Sequence, residues 1–126
     1  MRNLYRIVKA DTWKEAKEIG HIPRCGNDER RNRIHLNVHE AVEYVAAKYY
    51  VPDEQPLAIE FDTSSFLENI EWLEPTDELP WKQPLVDIPN LPIHAVVAIH
   101  QLDPGLVDGK NTYKLRKVTQ DTARHS

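Results

Sequence analysis

Cysteine and glycine are scarce in this chain, which has one cysteine and four glycines among 126 residues. The single Cys25 excludes a disulfide scaffold and fits a reducing, cytoplasmic compartment. The glycines form neither a G-x-G-x-x-G nor a Walker-type loop, which excludes these phosphate-binding motifs. No apolar run approaches the roughly 20 residues that cross a bilayer, so we expect no transmembrane helix. The first eight residues lack the apolar core of a secretory signal.

Positive charge is absent from a long central stretch. No lysine or arginine occurs between Lys48 and Lys82, where nine acidic residues lie, and the net charge is −4. An acidic chain is not expected to bind duplex nucleic acid non-specifically. A basic cluster precedes the acidic stretch and comprises Arg24, Arg30, Arg31 and Arg33. This cluster is either a solvated loop or a site for a small phosphate-bearing ligand.

The length and the hydrophobic pattern predict one α+β domain with two to three helices on a split, mixed or antiparallel sheet. Strand patterns occur over residues 4–9, 33–37, 57–62, 70–74, 93–99 and 112–118. Helical spacing predicts helices over residues 12–19 and 41–49. We place the domain at residues 1–105. The remaining residues, 106–126, are expected to form a basic C-terminal extension in which an edge strand precedes a frayed end.

Local residues predict where these elements begin and end. Thr12 and Glu15 match the T-x-x-E capping box of a helix that stops at Gly20, and Asn37 with Glu40 predicts a cap for the second helix. Clustered turn residues predict a loop over 21–32 and a turn over 103–105. Five prolines predict an extended, irregular segment over 75–92.

His35 is the first candidate for a functional residue. The period of two in its strand places it with Arg33 and Asn37, on the face opposite to Ile34 and Leu36. A neutral imidazole can donate one hydrogen bond and accept another, which suits a ribose hydroxyl. The alternative is a half-exposed strand histidine without a function.

Metal binding is not expected. His35 and His39 have the spacing of two ligands on one helix, but His35 belongs to a predicted strand. Cys25 has no cysteine neighbour with which to form a zinc site.

Trp72 and Glu74 are the second candidate pair, because a strand over 70–74 would place both on one face. A carboxylate beside an aromatic ring can stabilise the positive charge that develops at a sugar anomeric centre. The alternative is a core tryptophan beside a surface glutamate.

Six short segments occur in an order that carries a family resemblance: L-Y-R-I-V at 4–8, W-x-x-A at 13–16, R-I-H-L-N at 33–37, L-A-I-E-F-D at 57–62, E-W-L-E-P at 71–75 and L-P-I-H-A-V-V at 91–97. This ordered set resembles the small bacterial domain of unknown function 952 family over about residues 3–100. No single segment is specific to the family; the resemblance lies in the ordered set, with I-H-L after a polar loop and W-x-E-P later.

The resemblance implies an ADP-ribosyltransferase-like fold, a split sheet around a cleft for NAD. By position, it implies that His35 holds the nicotinamide ribose, with Asn37 in support where the family prefers serine. Glu74 is the implied late catalytic glutamate. The further residues expected to contact the dinucleotide are Arg33, Trp72 and Tyr5.

The function implied by the resemblance is NAD-dependent ADP-ribosyl transfer, or processing of an RNA phosphate by a related enzyme. Transfer would break the nicotinamide–ribose bond through an oxocarbenium-like state. The family's F-P-H…Y-G element is missing, and the equivalent stretch, 85–90, reads L-V-D-I-P-N. Two alternatives therefore stay open: a nucleotide- or NAD-binding module without catalysis, and a small interaction or regulatory protein.

Overall fold

Three helices and nine strands make up the part of the chain that the structure, a computed structural model, describes: residues 3–24 and 26–117. The helices are α1 (Ala10–Ile19), α2 (Gly26–Arg31) and α3 (Val42–Tyr49). The strands are β1 (Leu4–Lys9), β2 (His21–Ile22), β3 (Ile34–His35), β4 (Pro56–Phe61), β5 (Ile70–Leu73), β6 (Gln83–Val86), β7 (Leu91–Pro92), β8 (Val96–Val107) and β9 (Lys110–Lys117). Within these residues, no helix has the length and apolar character needed to span a bilayer.

The strands form three antiparallel sheets. The first has the order β1-β4-β8-β9, the second β3-β6-β5, and β2 pairs with β7. Short 3-10 segments lie at His39–Ala41, Pro52–Glu54, Leu67–Asn69 and Ile93–Ala95. The predicted α+β class with a split sheet is confirmed.

β4 lies inside the four-stranded sheet, and apolar residues cover both of its faces. Ile59 and Phe61 belong to the main core, and Ala58 belongs to a second core on the opposite face. The main core also contains Leu4, Val8, Trp13, Ile22, Ile34, Leu36, Val86 and Leu91. The second core consists of Tyr5, Ile7, Val42, Ala46, Ala58, Leu102 and Tyr113. The alternating pattern of β4 predicts only the first of these two faces.

The predicted helix caps are wrong at both N-termini. α1 begins at Ala10, so Thr12 and Glu15 lie inside the helix, and Lys9 is the N-cap without a side-chain hydrogen bond. The helix begins directly after β1, whose last residue, Lys9, pairs with Pro56, and the N–H of Ala10 donates to the carbonyl oxygen of Gln55 at 3.1 Å, so this N-terminal donor needs no side-chain cap. Asn37 precedes the next N-cap, Val38, and exchanges two backbone hydrogen bonds with Tyr5 instead (2.8 and 2.7 Å).

The predicted end of α1 at Gly20 is confirmed. Gly20 has a φ of 91°, and its N–H donates to the carbonyl oxygen of Ala16 at 2.8 Å. Glycine adopts this left-handed conformation without the penalty that a Cβ brings.

Both segments predicted to be irregular contain regular elements. Residues 21–32 hold β2 and α2, and residues 75–92 hold β6 and β7. Each of these strands is two to four residues long and forms by pairing with a distant partner. A local pattern carries no information about such pairing. Pro84 lies within β6, and its carbonyl oxygen accepts a hydrogen bond from the N–H of Leu36 (3.1 Å).

The predicted turn over 103–105 is also wrong. β8 begins at Val96, after a 3-10 segment, and continues to Val107. The chain reverses at Asp108 and Gly109, which have φ values of 52° and 77°.

The end expected for the domain, residue 105, therefore lies within β8. β9 pairs with β8 along its length, and Tyr113 of β9 is buried in the second core. Cys25 and residues 118–126, where a frayed end is expected, lie outside the described residues.

Candidate functional site

A buried carboxylate connects β1 to β3. The side chain of Asp28, in α2, is fully buried and contacts Arg6 of β1 twice: Nη2 to Oδ2 at 2.6 Å and Nη1 to Oδ1 at 3.3 Å. Oδ1 of Asp28 also accepts a hydrogen bond from the backbone N–H of His35 at 3.1 Å and lies 3.0 Å from Nδ1 of its ring. Arg6 in turn donates to the carbonyl oxygen of His35 at 2.8 Å.

This arrangement fixes the tautomer of the neutral His35 ring. An ionised carboxylate can only accept hydrogen bonds, so the contact with Asp28 requires a proton on Nδ1. In the neutral ring, Nε2 is then an acceptor. Within the described residues Nε2 has no hydrogen-bond partner, and 34% of the His35 side chain is exposed. His35 can therefore accept a hydrogen bond from a ligand.

The strand pattern of β1 explains why Arg6 needs a partner. Leu4, Arg6 and Val8 alternate with Tyr5 and Ile7, so Arg6 shares the face that packs into the main core. A charged group there is costly unless it is paired and hydrogen-bonded. α2 supplies Asp28, whose carbonyl oxygen also accepts the backbone N–H of Arg33 at 3.1 Å as the chain enters β3.

His35 and Asn37 line a cavity of about 1100 Å³. Four of its lining side chains are acidic: Asp11, Glu15, Asp28 and Glu54. Seven are basic: Arg6, Lys9, Arg24, Arg30, Arg31, Lys48 and Lys82. Arg24, Lys48 and Lys82 pair with carboxylates that are not lining residues, Glu29, Glu78 and Glu74. The positive charge that favours an anionic ligand therefore lies mainly at Arg31 of α2.

Three aromatic residues form one side of this cavity, which we call the aromatic wall: Tyr44 and Tyr49 of α3, and Trp81. The rings of Tyr44 and Trp81 meet edge to face, with centroids 5.5 Å apart at 69°. Nζ of Lys48 lies 6.0 Å from the centroid of Tyr44 and 5.5 Å from that of Tyr49.

An ion pair connects the aromatic wall to the segment before β6. Lys48 donates to Glu78 at 2.6 Å, which holds the pKa of Glu78 below its usual value and raises that of Lys48. The turn that carries Glu78 is closed by two hydrogen bonds between Thr76 and Leu79 (2.8 and 3.0 Å).

Arg33, a predicted dinucleotide contact, is not a lining residue of the cavity. Its guanidinium lies 4.0 Å from Glu71 and 3.7 Å from Asp87, at the end of the β3-β6-β5 sheet. Arg31, which belongs to the same basic cluster, does line the cavity.

Trp72 and Glu74 are separated from His35. Trp72 belongs to β5 and Glu74 follows it, and β6 lies between β5 and β3. The side chain of Glu74 is 78% exposed and lies 4.0 Å from Lys82, and neither Glu74 nor Trp72 lines the cavity. The structure therefore does not bring together the predicted catalytic pair of His35 and Glu74.

Tyr5 faces the second core, away from the cavity. Burial is the main cause of its raised pKa, and Glu60, to which its hydroxyl is hydrogen-bonded, adds to the increase. Glu60 is also 2.7 Å from Nε2 of His100 and accepts a hydrogen bond from Asn3 at 2.7 Å. In this position Tyr5 holds β1, β4 and β8 together rather than contacting a ligand in the cavity.

Arg6 and Asp28 are the site residues that the sequence analysis missed. Arg6 gives a signal, because a basic residue on the core-facing side of a strand requires a buried partner. Asp28 gives none, because it lies in a polar segment whose short helix has no apolar stripe.

No group of three or more histidine, cysteine, aspartate or glutamate side chains suited to a metal ion occurs in residues 3–24 and 26–117. His35 lies in β3, and His39 lies in the following 3-10 segment.

Comparison with solved structures identifies the fold. The chain is similar to the crystal structure of protein CC0527 from Caulobacter crescentus, with a TM-score of 0.71 and 21% identity over 86% of this chain and 92% of that one. The solution structure of CC0527 gives a TM-score of 0.68 and 23% identity, over 87% and 91% of the two chains. This similarity shows a shared α+β fold. No protein-family model and no curated protein matches the sequence.

Proposed function

We propose that this chain belongs to the domain of unknown function 952 family and binds an NAD-type dinucleotide in the cavity, with His35 at a ribose. One observation carries the proposal: Asp28 and Arg6 hold the His35 ring at the wall of a cavity rich in basic side chains. An NAD-type dinucleotide has two phosphates, whose negative charge suits basic side chains, and two riboses, whose hydroxyls can hydrogen-bond to His35.

Each polar group of the proposed site has a defined role. Nε2 of His35 accepts a hydrogen bond from a ribose hydroxyl, and Asn37 supports it from the next position on the wall. Arg31 and Lys82 meet the pyrophosphate, in place of Arg33. These roles need a ring held in one orientation, which the contact with buried Asp28 supplies.

Binding is favoured over transfer catalysed by Glu74. A catalytic group must approach the reacting atoms within hydrogen-bond reach, and Glu74 is exposed away from the cavity. The proposed function is therefore dinucleotide binding, by a module that keeps the cavity and its ribose contact.

Calorimetric titration with NAD, ADP-ribose and nicotinamide tests this proposal. We expect NAD and ADP-ribose to bind, and a hundredfold excess over the dissociation constant to stabilise the fold by about 2.7 kcal/mol. His35→Ala should weaken binding by about two- to tenfold, the worth of one hydrogen bond. His94→Ala is the control, because His94 is exposed and does not line the cavity. Absence of binding at millimolar concentration would refute the proposal.

NAD cleavage is a second candidate function, favoured by carboxylates on the cavity wall itself. Asp11 and Glu15 are four residues apart on α1, and both line the cavity with His35. In this reaction the bond between nicotinamide and ribose C1′ breaks, nicotinamide leaves with the electron pair, and an acceptor hydroxyl adds to C1′ and loses its proton. Glu15 would stabilise the positive charge on the ribose.

Nicotinamide release, measured over hours with a hydroxyl acceptor or water, tests this second candidate. We expect Glu15→Gln to reduce the rate of nicotinamide release by about a hundredfold or more, which is the usual effect of removing one group that stabilises charge in the transition state. Glu68→Gln should leave it unchanged, because Glu68 is exposed and does not line the cavity. No release from the wild type would leave binding as the only function, and equal effects of the two variants would exclude Glu15.

A further inference from the structure

We infer that the aromatic wall is a nucleobase subsite, with Trp81 as the platform on which the base stacks. This inference rests on the proposed function and assigns the end of the ligand that His35 does not contact. The observations that carry it are the position of the aromatic wall on the same cavity, the exposure of its rings and the size of the cavity.

Two rings of the aromatic wall are exposed where a core would bury them. Tyr44 is 40% and Tyr49 63% exposed, and Trp81 is half-buried against the main core. Every nucleobase has a flat face that stacks on such rings. Because basic side chains line the same cavity, a ligand with both a phosphate and an aromatic ring fits better than a sugar phosphate.

Trp81 is held firmly enough to act as a platform. The rings of Tyr44 and Trp81 meet edge to face with centroids 5.5 Å apart, and the ion pair between Lys48 and Glu78 ties α3 to the turn that precedes Trp81. A ring that is positioned before binding loses little freedom when a ligand stacks on it.

Trp81 and His35 both line the cavity and are close enough in the fold for one extended ligand to reach both. Leu85 pairs with His35, and Trp81 precedes Leu85 by four residues, so the chain between them spans at most about 13 Å. The cavity of about 1100 Å³ exceeds the roughly 300–1,000 Å³ of sites for drug-sized ligands. A dinucleotide can therefore place one ribose at His35 and the distal base at Trp81.

Titration of AMP, ADP-ribose and ribose 5-phosphate against Trp81→Ala tests the subsite. We expect Trp81→Ala to weaken AMP and ADP-ribose by at least about fivefold, the lower limit for loss of one stacked base, and to leave ribose 5-phosphate unchanged. Trp72→Ala is the matched control, because Trp72 is 39% exposed on β5 and does not line the cavity. Trp81→Phe keeps a stacking ring and should restore most of the affinity.

The outcomes separate the subsite from the proposed function. If NAD and ADP-ribose bind to Trp81→Ala as they do to Trp72→Ala, while His35→Ala weakens them, the subsite is refuted and dinucleotide binding stands. If none of the nucleotides binds the wild type, both proposals fail. If Trp81→Ala unfolds, Trp81→Leu gives the second test, because leucine keeps an apolar contact with the main core but has no ring on which a base can stack: unchanged AMP affinity in that variant would also refute the subsite.

Discussion

At the scale of single residues, Asp28 supports both the fold and the candidate site. Its carboxylate pairs with the charge of Arg6, accepts a hydrogen bond from the N–H of His35 and, in the neutral His35 ring, holds the proton on Nδ1. A buried ion pair adds little net stability compared with an apolar pair, but removing one member leaves the other charge without its counter-charge. Asp28 is therefore more important to the fold than its place in a polar segment suggests.

Replacing Asp28 by asparagine should lower the free energy of unfolding by about 3–5 kcal/mol, because it removes the negative charge that compensates buried Arg6. Asp87→Asn is the matched control: Asp87 is 59% exposed and 3.7 Å from Arg33, so its loss should cost about 1 kcal/mol or less. Urea unfolding of both variants measures the difference. Similar midpoints for the two would show that the buried pair does not stabilise the fold.

The sequence predicts part of the candidate site, because strand period and burial are local properties. The alternation around His35 indicates that Ile34 and Leu36 are buried and that His35 faces away from them, as found. The role assigned to Glu74 depends on which strands are neighbours. β6, which separates β5 from β3, forms from a proline-containing segment whose pattern predicts no strand.

At the scale of elements, the sequence predicts the longer strands and helices from their apolar patterns, but it does not predict most of the shortest strands. β1, β4 and the apolar residues of α3 follow from their own sequences. β2 and β7 have two residues each and form only through pairing with each other across the chain, whereas the two residues of β3 lie within the strand predicted over 33–37. The ends of elements follow the same rule: Gly20 stops α1 through its own backbone freedom, whereas the start of α1 is not decided by a capping side chain.

Gly20→Ala should destabilise the fold by about 1 kcal/mol. The φ of Gly20 is 91°, and a Cβ would meet nothing within 4 Å, so the cost is backbone strain without a clash. Gly20→Asn should cost less, since asparagine tolerates the left-handed region. Thermal unfolding of the two variants checks the order. A larger loss for asparagine than for alanine would contradict this explanation.

At the scale of the whole molecule, β9 belongs to the domain rather than to an appendage. Tyr113 is 3% exposed, and its hydroxyl donates to the carbonyl oxygen of Tyr50 at 3.2 Å. Glu43 of α3 accepts the N–H of Leu115 at 2.7 Å, which satisfies one donor on the outer edge of β9. The helix that carries part of the aromatic wall is thus fixed to the last strand of the sheet.

Tyr113→Ala should lower the free energy of unfolding by about 3–5 kcal/mol, as truncation of a buried aromatic residue does. Leu106→Ala in the same hairpin should change it by about 0.5 kcal/mol or less, because Leu106 is 71% exposed. Chemical denaturation compares the two. Equal small losses would mean that the fold is complete without β9.

The order of the four-stranded sheet has a consequence for synthesis of the chain. β4 lies between β1 and β8, and its partners in β8 follow it by about 40 residues, as Leu57 and Gln101 show. At about 5–20 residues per second a ribosome needs roughly 2–8 s to make that stretch. During this time one edge of the apolar strand β4 lacks β8, its hydrogen-bonding partner. Such an unpaired strand edge promotes aggregation with other chains.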